Sequence, residues 1–123
     1  MGAWWALGAA LMAAGMMGPG DFFVAISHSG SSRDVVQAVD VVKAAGASTL
    51  AIVSYAKSSV SKEAERILQV ASAETGYRFE PTAPRIAQLC VIDVLSVGVS
   101  LLRRDEVIAN LNRTRKAVAR LRY

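Results

Sequence analysis

The residues best suited to chemistry crowd into one short stretch. Asp21 to Ser32 reads D-F-F-V-A-I-S-H-S-G-S-S, an apolar run that breaks into hydroxyl residues around one glycine. Ser27, Ser29, Ser31 and Ser32 offer hydroxyl donors, His28 offers an imidazole, and Gly30 lets a ligand approach the backbone closely. A helix-like pattern begins directly afterwards. The first N–H groups of a helix have no intrahelical partner and carry partial positive charge. Strand, hydroxyl-rich turn and helix start together suit an anion, most obviously a phosphate. The same residues also suit an ordinary turn in which Ser31 or Ser32 merely caps the helix. Spacing alone leaves both readings open.

Other reactive side chains are sparse. His28 is the only histidine and Cys90 the only cysteine, so a zinc site or a disulfide framework within the chain is not expected. His28 could serve in acid–base chemistry, but the residues next to it include no carboxylate, and a polar loop residue facing solvent or ligand is the favoured reading. Arg85 could orient an anionic group or pair with an acid. Asp93 falls in an apolar helix and is expected to meet a partner from another element, because a buried acid needs one. Cys90 on the same helix reads as core. Met12, Met16 and Met17 read as adaptable packing residues rather than a cofactor box. No cofactor and no metal are implied.

The elements that must position the turn follow from hydrophobic patterning. Leu7 to Met17 reads as an apolar helix, and Gly18-Pro19-Gly20-Asp21 as a turn. Phe22 to Ile26 and Ser48 to Ser54 are continuous apolar runs of strand length, as in a buried parallel sheet. Arg33 to Ala45 reads as a helix whose Asp34, Gln37, Asp40 and Lys43 make one wet stripe, with Val35, Val36, Val39 and Val42 on its other faces. Gly46 should end it. Tyr55 to Lys62 is a polar loop, with Ser61 able to cap a short turn over Lys62 to Glu65. Arg66 to Ala71 is a weaker strand. Glu74 to Thr82 is irregular. Pro84 opens a helix over Arg85 to Leu102 that is apolar nearly all round, so it should be central or packed on both sides. In the last helix, Asp105 to Arg122, Val107, Leu111, Thr114, Val118 and Leu121 form a seam.

Alternating strands and helices imply an α/β fold with a parallel sheet between helical layers. In such sheets ligands bind beyond the carboxyl ends of the strands. The Ser27–Ser32 turn lies at one such end and Ser54–Ser61 at the next.

Composition sets outer limits. The chain has 123 residues, 53% of them hydrophobic and 20% charged, enough for one domain with a core. Met1 to Gly20 has no charged side chain, yet it lacks the basic start of a signal peptide, and its glycines disfavour a membrane anchor. No membrane partner is expected. A lone cysteine fits a reducing compartment, so a cytoplasmic location is expected. Net charge is +4, concentrated in Arg103, Arg104, Arg113, Arg115, Lys116, Arg120 and Arg122 against Asp105 and Glu106. Without stacking aromatics or a helix-turn-helix nearby, this reads as a solvated helix face rather than a nucleic-acid surface.

The Ser27-His28-Ser29-Gly30-Ser31-Ser32 turn resembles the S-x-S-G-x-[S/T] phosphate loop of SIS (sugar isomerase) domains. Four ordered blocks are similar to the sugar-phosphate-sensing domain of RpiR/MurR-type bacterial transcription regulators. They are Gly18 to Gly30, Ala45 to Ser54, Ser58 to Leu68 and Pro84 to Leu95. Ser59, Glu65 and Pro84 stand where that family usually has Pro, Asp and Ser. The resemblance covers residues 12–102, with 103–123 as a basic carboxyl-terminal helix.

The resemblance implies a flavodoxin-like, three-layer α-β-α SIS fold, here incomplete, with about three strands. A complete domain opens with further elements and a Gly/Ser-rich loop, so the chain is expected to be amino-terminally truncated. The strand at Phe22–Ile26 then becomes an edge, and association as a homodimer is expected. The implied function is binding of a phosphorylated sugar by Ser27, His28, Ser29, Gly30, Ser31 and Ser32 in the effector-sensing domain of a regulator. DNA would be contacted only through a helix-turn-helix domain absent from this chain. The alternative is an aldose–ketose phosphosugar isomerase. It needs a general base, and His28, Glu74 and Glu80 are the candidates, although neither glutamate aligns with a family base and both suit a solvated loop.

Overall fold

The computed structural model describes residues 11–71 and 82–120. The chain divides into two compact units, one ending at Gln88 and one beginning at Leu89. In the first unit a helical segment at residues 11–15 (α1) leads to strand β1 (Phe22–Ser27), helix α2 (Arg33–Ala44), strand β2 (Ser48–Val53), a short helix α3 (Ser59–Glu63) and strand β3 (Arg66–Gln69). Helix α4 (Thr82–Leu102) begins there and continues into the second unit, which ends in α5 (Arg104–Ala119).

The three strands form one parallel sheet in the order β1-β2-β3. Their apolar runs explain the pairing. Central β2 is buried from Thr49 to Val53, while β1 and β3 flank it. The α/β class and parallel sheet expected from the sequence are the observed ones. The turn before β1 closes on itself, with the Asp21 amide donating to the Gly18 carbonyl and the Gly18 amide to Asp21 Oδ2.

Helix α2 covers one face of the sheet. Val35 and Val36 pack against the core and Val39 and Val42 enter it completely, whereas Val41, Asp34, Gln37, Asp40 and Lys43 are exposed. Val39 packs with Ala25, Ala51, Val53, Val60 and Ala64, and Val42 with Ala14 and Ala47. Each fully buried aliphatic side chain contributes about 1.5–3 kcal/mol of transfer free energy. Gly46 follows the helix at φ +84°, a left-handed conformation that favours glycine.

The other sheet face carries Phe22, Val24 and Ile26 of β1. Their exposures of 52, 40 and 43% leave an apolar strip on an edge strand. Helix α3 differs in detail from expectation. It starts at Ser59, and its cap is Ser58, whose hydroxyl accepts from the Ser61 amide; Ser61 is not the cap. Strand β3 is anchored to β2 by a reciprocal pair. The Glu65 amide donates to Thr49 Oγ1 at 3.0 Å, and the Thr49 amide donates to Glu65 Oε2 at 3.4 Å.

Helix α4 reverses three expectations. Ile86, Leu89, Val94, Val97 and Leu101 are exposed, so the helix is not packed on both sides by the described residues. Cys90 is exposed rather than core, and Asp93 faces solvent rather than a buried partner. The all-round apolar pattern identified a helix that wants cover but could not say what supplies it. Similarly, Met12 and Met16 are exposed, and only Met17 packs against the core. Helix α5 buries no residue. Leu111, Thr114 and Val118 of its seam line a shallow apolar groove with Arg115 and Ala119. Its cations are solvated, as the charge pattern suggested; Arg103 meets Glu106 at 3.4 Å and Arg113 donates to Asn110 at 2.7 Å. The start of the first helix, from Leu7, and Leu121 lie outside the described residues, as do Glu74 and Glu80.

Candidate functional site

The Ser27–Ser32 turn sits at the carboxyl end of β1 and feeds α2, so all six predicted site residues come together. They are not equivalent. Ser27 is buried, and its hydroxyl accepts from the Gly30 amide at 3.0 Å. The Ser31 amide donates to Ser29 Oγ at 3.2 Å. The Gly30 and Ser31 amides are thus engaged inside the loop. Ser29, Ser31 and Ser32 are exposed. Ser32 occupies the N-cap of α2, yet its side chain makes no capping bond. Simple capping therefore does not account for its hydroxyl. The first-turn amides of α2 lack a side-chain acceptor from their own cap residue, which leaves a helix start suited to an anion.

The second strand end completes the arrangement. The register that pairs Ser27 with Val53 brings His28 opposite Ser54. The Ser54 amide donates to the His28 carbonyl at 3.2 Å, and Ser54 Oγ lies 2.8 Å from His28 Nδ1. The Tyr55 ring meets the imidazole edge-on, with centroids 6.0 Å apart and planes at 61°. His28 and Ser54 are partly exposed and Tyr55 is exposed.

Gly30 has a structural duty that its sequence context did not reveal. It adopts φ +65°, and a Cβ there would collide with the Ser58 side chain. Its carbonyl accepts from the Val60 amide at 2.8 Å. Ser58 is buried and shares a 2.7 Å contact with Ser61 Oγ, which also donates to the Tyr55 carbonyl. The β2–α3 loop thus buttresses the β1–α2 loop from behind. Ser54, Tyr55 and Ser58 were not singled out from sequence. Their signal was the second hydroxyl-rich stretch at a strand's carboxyl end.

Arg85 stands exposed in the first turn of α4. Among the described residues, no group of three His, Cys, Asp or Glu side chains could hold a metal ion.

The family model for the SIS domain matches residues 7–98. The chain belongs to the SIS domain family. It is 36% identical over 100 residues to an uncharacterised HTH-type transcriptional regulator of Caldanaerobacter subterraneus subsp. tengcongensis, covering 81% of this chain and 36% of that protein. This SIS chain therefore spans about a third of the length of that curated relative. Its fold is that of Vibrio vulnificus NanR, solved in complex with ManNAc-6P (TM-score 0.75, 24% identity, 94% of this chain and 44% of that one). It is also that of the sugar isomerase domain of an RpiR transcription factor from Sphaerobacter thermophilus (TM-score 0.69, 18% identity, 88% and 58%).

Proposed function

We propose that this SIS domain is the sugar-phosphate-sensing module of an RpiR-type bacterial transcription regulator. The observation that carries the reading is the uncapped start of α2 behind an exposed hydroxyl loop at the carboxyl end of a parallel strand. Ser29, Ser31 and Ser32 donate to the phosphate, His28 borders the sugar, and Ser27 and Gly30 shape the loop. Charge-assisted hydrogen bonds of this kind are about twice as strong as neutral ones. The similarity to an HTH-type regulator and to a NanR fold that holds ManNAc-6P supports the ligand class. DNA contact is assigned to a helix-turn-helix domain outside these 123 residues, in a cytoplasmic protein.

A thermal-shift panel of sugar 6-phosphates, N-acetylmannosamine 6-phosphate included, tests the assignment on the native chain and on Ser29→Ala. Ligand at 100 times its Kd stabilises a fold by about 2.7 kcal/mol. The native chain should shift and the variant should shift less. Equal shifts would remove the loop from the argument. Turnover of an aldose phosphate would favour an isomerase instead.

The domain also self-associates in this reading, most simply as a homodimer. Two apolar surfaces support it, the β1 strip of Phe22, Val24 and Ile26 and the exposed side chains of α4. Helix α4 is long and apolar enough to cross a bilayer by length and composition. Asp93 near its middle opposes that use, because an acid at the centre of a spanning helix costs about 2.5–3.5 kcal/mol. Sedimentation at micromolar concentration should show a dimer that Val97→Lys dissociates. A clean monomer for the native chain would count against association, and partition into lipid vesicles would redirect it to a membrane.

A further inference from the structure

The site has two strand ends, and the phosphate loop lies at the first. We propose that Ser54 and Tyr55 are positioning residues that hold the His28 imidazole against the sugar portion of the ligand. The β1–α2 loop then takes the phosphate, and the His28–Ser54–Tyr55 cluster reads the sugar hydroxyls. This rests on the phosphosugar reading above and extends it to selectivity.

The geometry separates the two tasks. Side chains alternate along a strand. Ser27 turns into the protein and engages the Gly30 amide, whereas the next residue, His28, is partly exposed and reaches across to β2. The Ser54 hydroxyl at 2.8 Å engages Nδ1, and the Tyr55 ring, edge-on at 6.0 Å, limits how the imidazole can turn. A neutral imidazole has one donor nitrogen and one acceptor nitrogen, and a hydroxyl can serve either. The Ser54 bond can therefore hold the ring in place whichever of its nitrogens carries the proton. Sugars differ from one another in the direction of their hydroxyls, so a ring of defined orientation can discriminate among them. A rotating imidazole cannot. The phosphate is common to all of them and needs no such precision.

The test is simplified because His28 is the only histidine in the chain. Its ring ¹⁵N signals in a histidine-labelled sample report one residue. Ser54→Ala should shift these ring signals, and Ser54→Thr should restore the native ones.

Binding is measured by calorimetry with fructose 6-phosphate and N-acetylmannosamine 6-phosphate, and with glycerol 3-phosphate as a phosphate ester lacking a sugar ring. Ser54→Ala and Tyr55→Ala should each weaken the better-bound hexose phosphate roughly three- to tenfold, the range expected for one hydrogen bond. Glycerol 3-phosphate should change less than twofold, which also shows that the loop is still folded. Ser29→Ala should weaken both ligand classes. Equal weakening of glycerol 3-phosphate by Ser54→Ala would overturn the division of labour. So would unchanged hexose phosphate binding, or unchanged ring signals. If those occur while Ser29→Ala still weakens binding, the phosphosugar reading stands and only the positioning role falls. If the native chain binds neither hexose phosphate, both fall.

Discussion

The two loops at the carboxyl ends of β1 and β2 look alike in sequence, both short and rich in serine, but they do opposite things. The Ser27–Ser32 loop turns Ser29, Ser31 and Ser32 to solvent. The Ser54–Ser61 loop buries Ser58 and Ser61 and spends their hydroxyls on the cap of α3 and the Tyr55 carbonyl. One loop leaves its polar groups exposed. The other uses them to make a rigid backing, against which Gly30 fits because it lacks a side chain. Preorganised donors lose less freedom on binding, so a stiff second loop raises the value of an open first one.

Substitutions can break this contrast, and the largest effect is expected at the contact between the loops. Gly30→Ala would clash with Ser58 and place a side chain at φ +65°. Overpacking and an unfavourable backbone region together should cost about 3 kcal/mol or more. Chemical denaturation should show that loss, and any sugar-phosphate shift should disappear with it. Native-like stability for the variant would mean that the loops are not in firm contact.

Ser58→Ala sharpens the comparison from the other side. It removes the acceptor for the Ser61 amide and the Ser58–Ser61 hydroxyl contact. A lost cap that leaves the buried Ser61 amide without its acceptor should cost about 1–2 kcal/mol in urea unfolding. Ligand affinity should fall as well, although Ser58 would not touch ligand. A stability loss with affinity intact would show that the backing is dispensable for binding.

A buried group outside both loops calibrates the scale. Gln88 is buried, and its Nε2 finds no hydrogen-bond acceptor among the described residues. Gln88→Leu removes an unsatisfied donor and should raise stability by up to about 1 kcal/mol, seen as a higher midpoint at unchanged m-value. A destabilised variant would indicate that the amide has a partner in solution.

The smallest stability effect belongs to the exposed loop. Ser29→Ala should change the unfolding free energy by less than about 0.5 kcal/mol, because its hydroxyl is solvent-exposed. A large stability loss there would blur the distinction between an open loop and a structural one.

Much of the fold was legible from residues close together in the chain. The polar stripe of α2, the apolar runs of β1 and β2 and the Gly46 terminator all follow from local periodicity and backbone preference. The candidate loop was legible for the same reason, since its hydroxyls, glycine and helix start are consecutive. The misreadings came where burial decides. Cys90 and Asp93 were placed by the apolar character of their helix, but exposure depends on what lies against it. The cap of α3 moved to Ser58 because neighbouring serines compete for the same amides, a choice made by loop geometry.

The sequence alone therefore determined the α/β alternation, the position of the hydroxyl turn and the resemblance to SIS domains, because each is written in contiguous residues. The tertiary structure decided which serines face solvent and which hold the loop. It also supplied the bond between His28 and Ser54, 26 residues apart, and the reason Gly30 must be glycine. These depend on the register between parallel strands, which brings distant residues side by side and is set by the packing of the whole sheet.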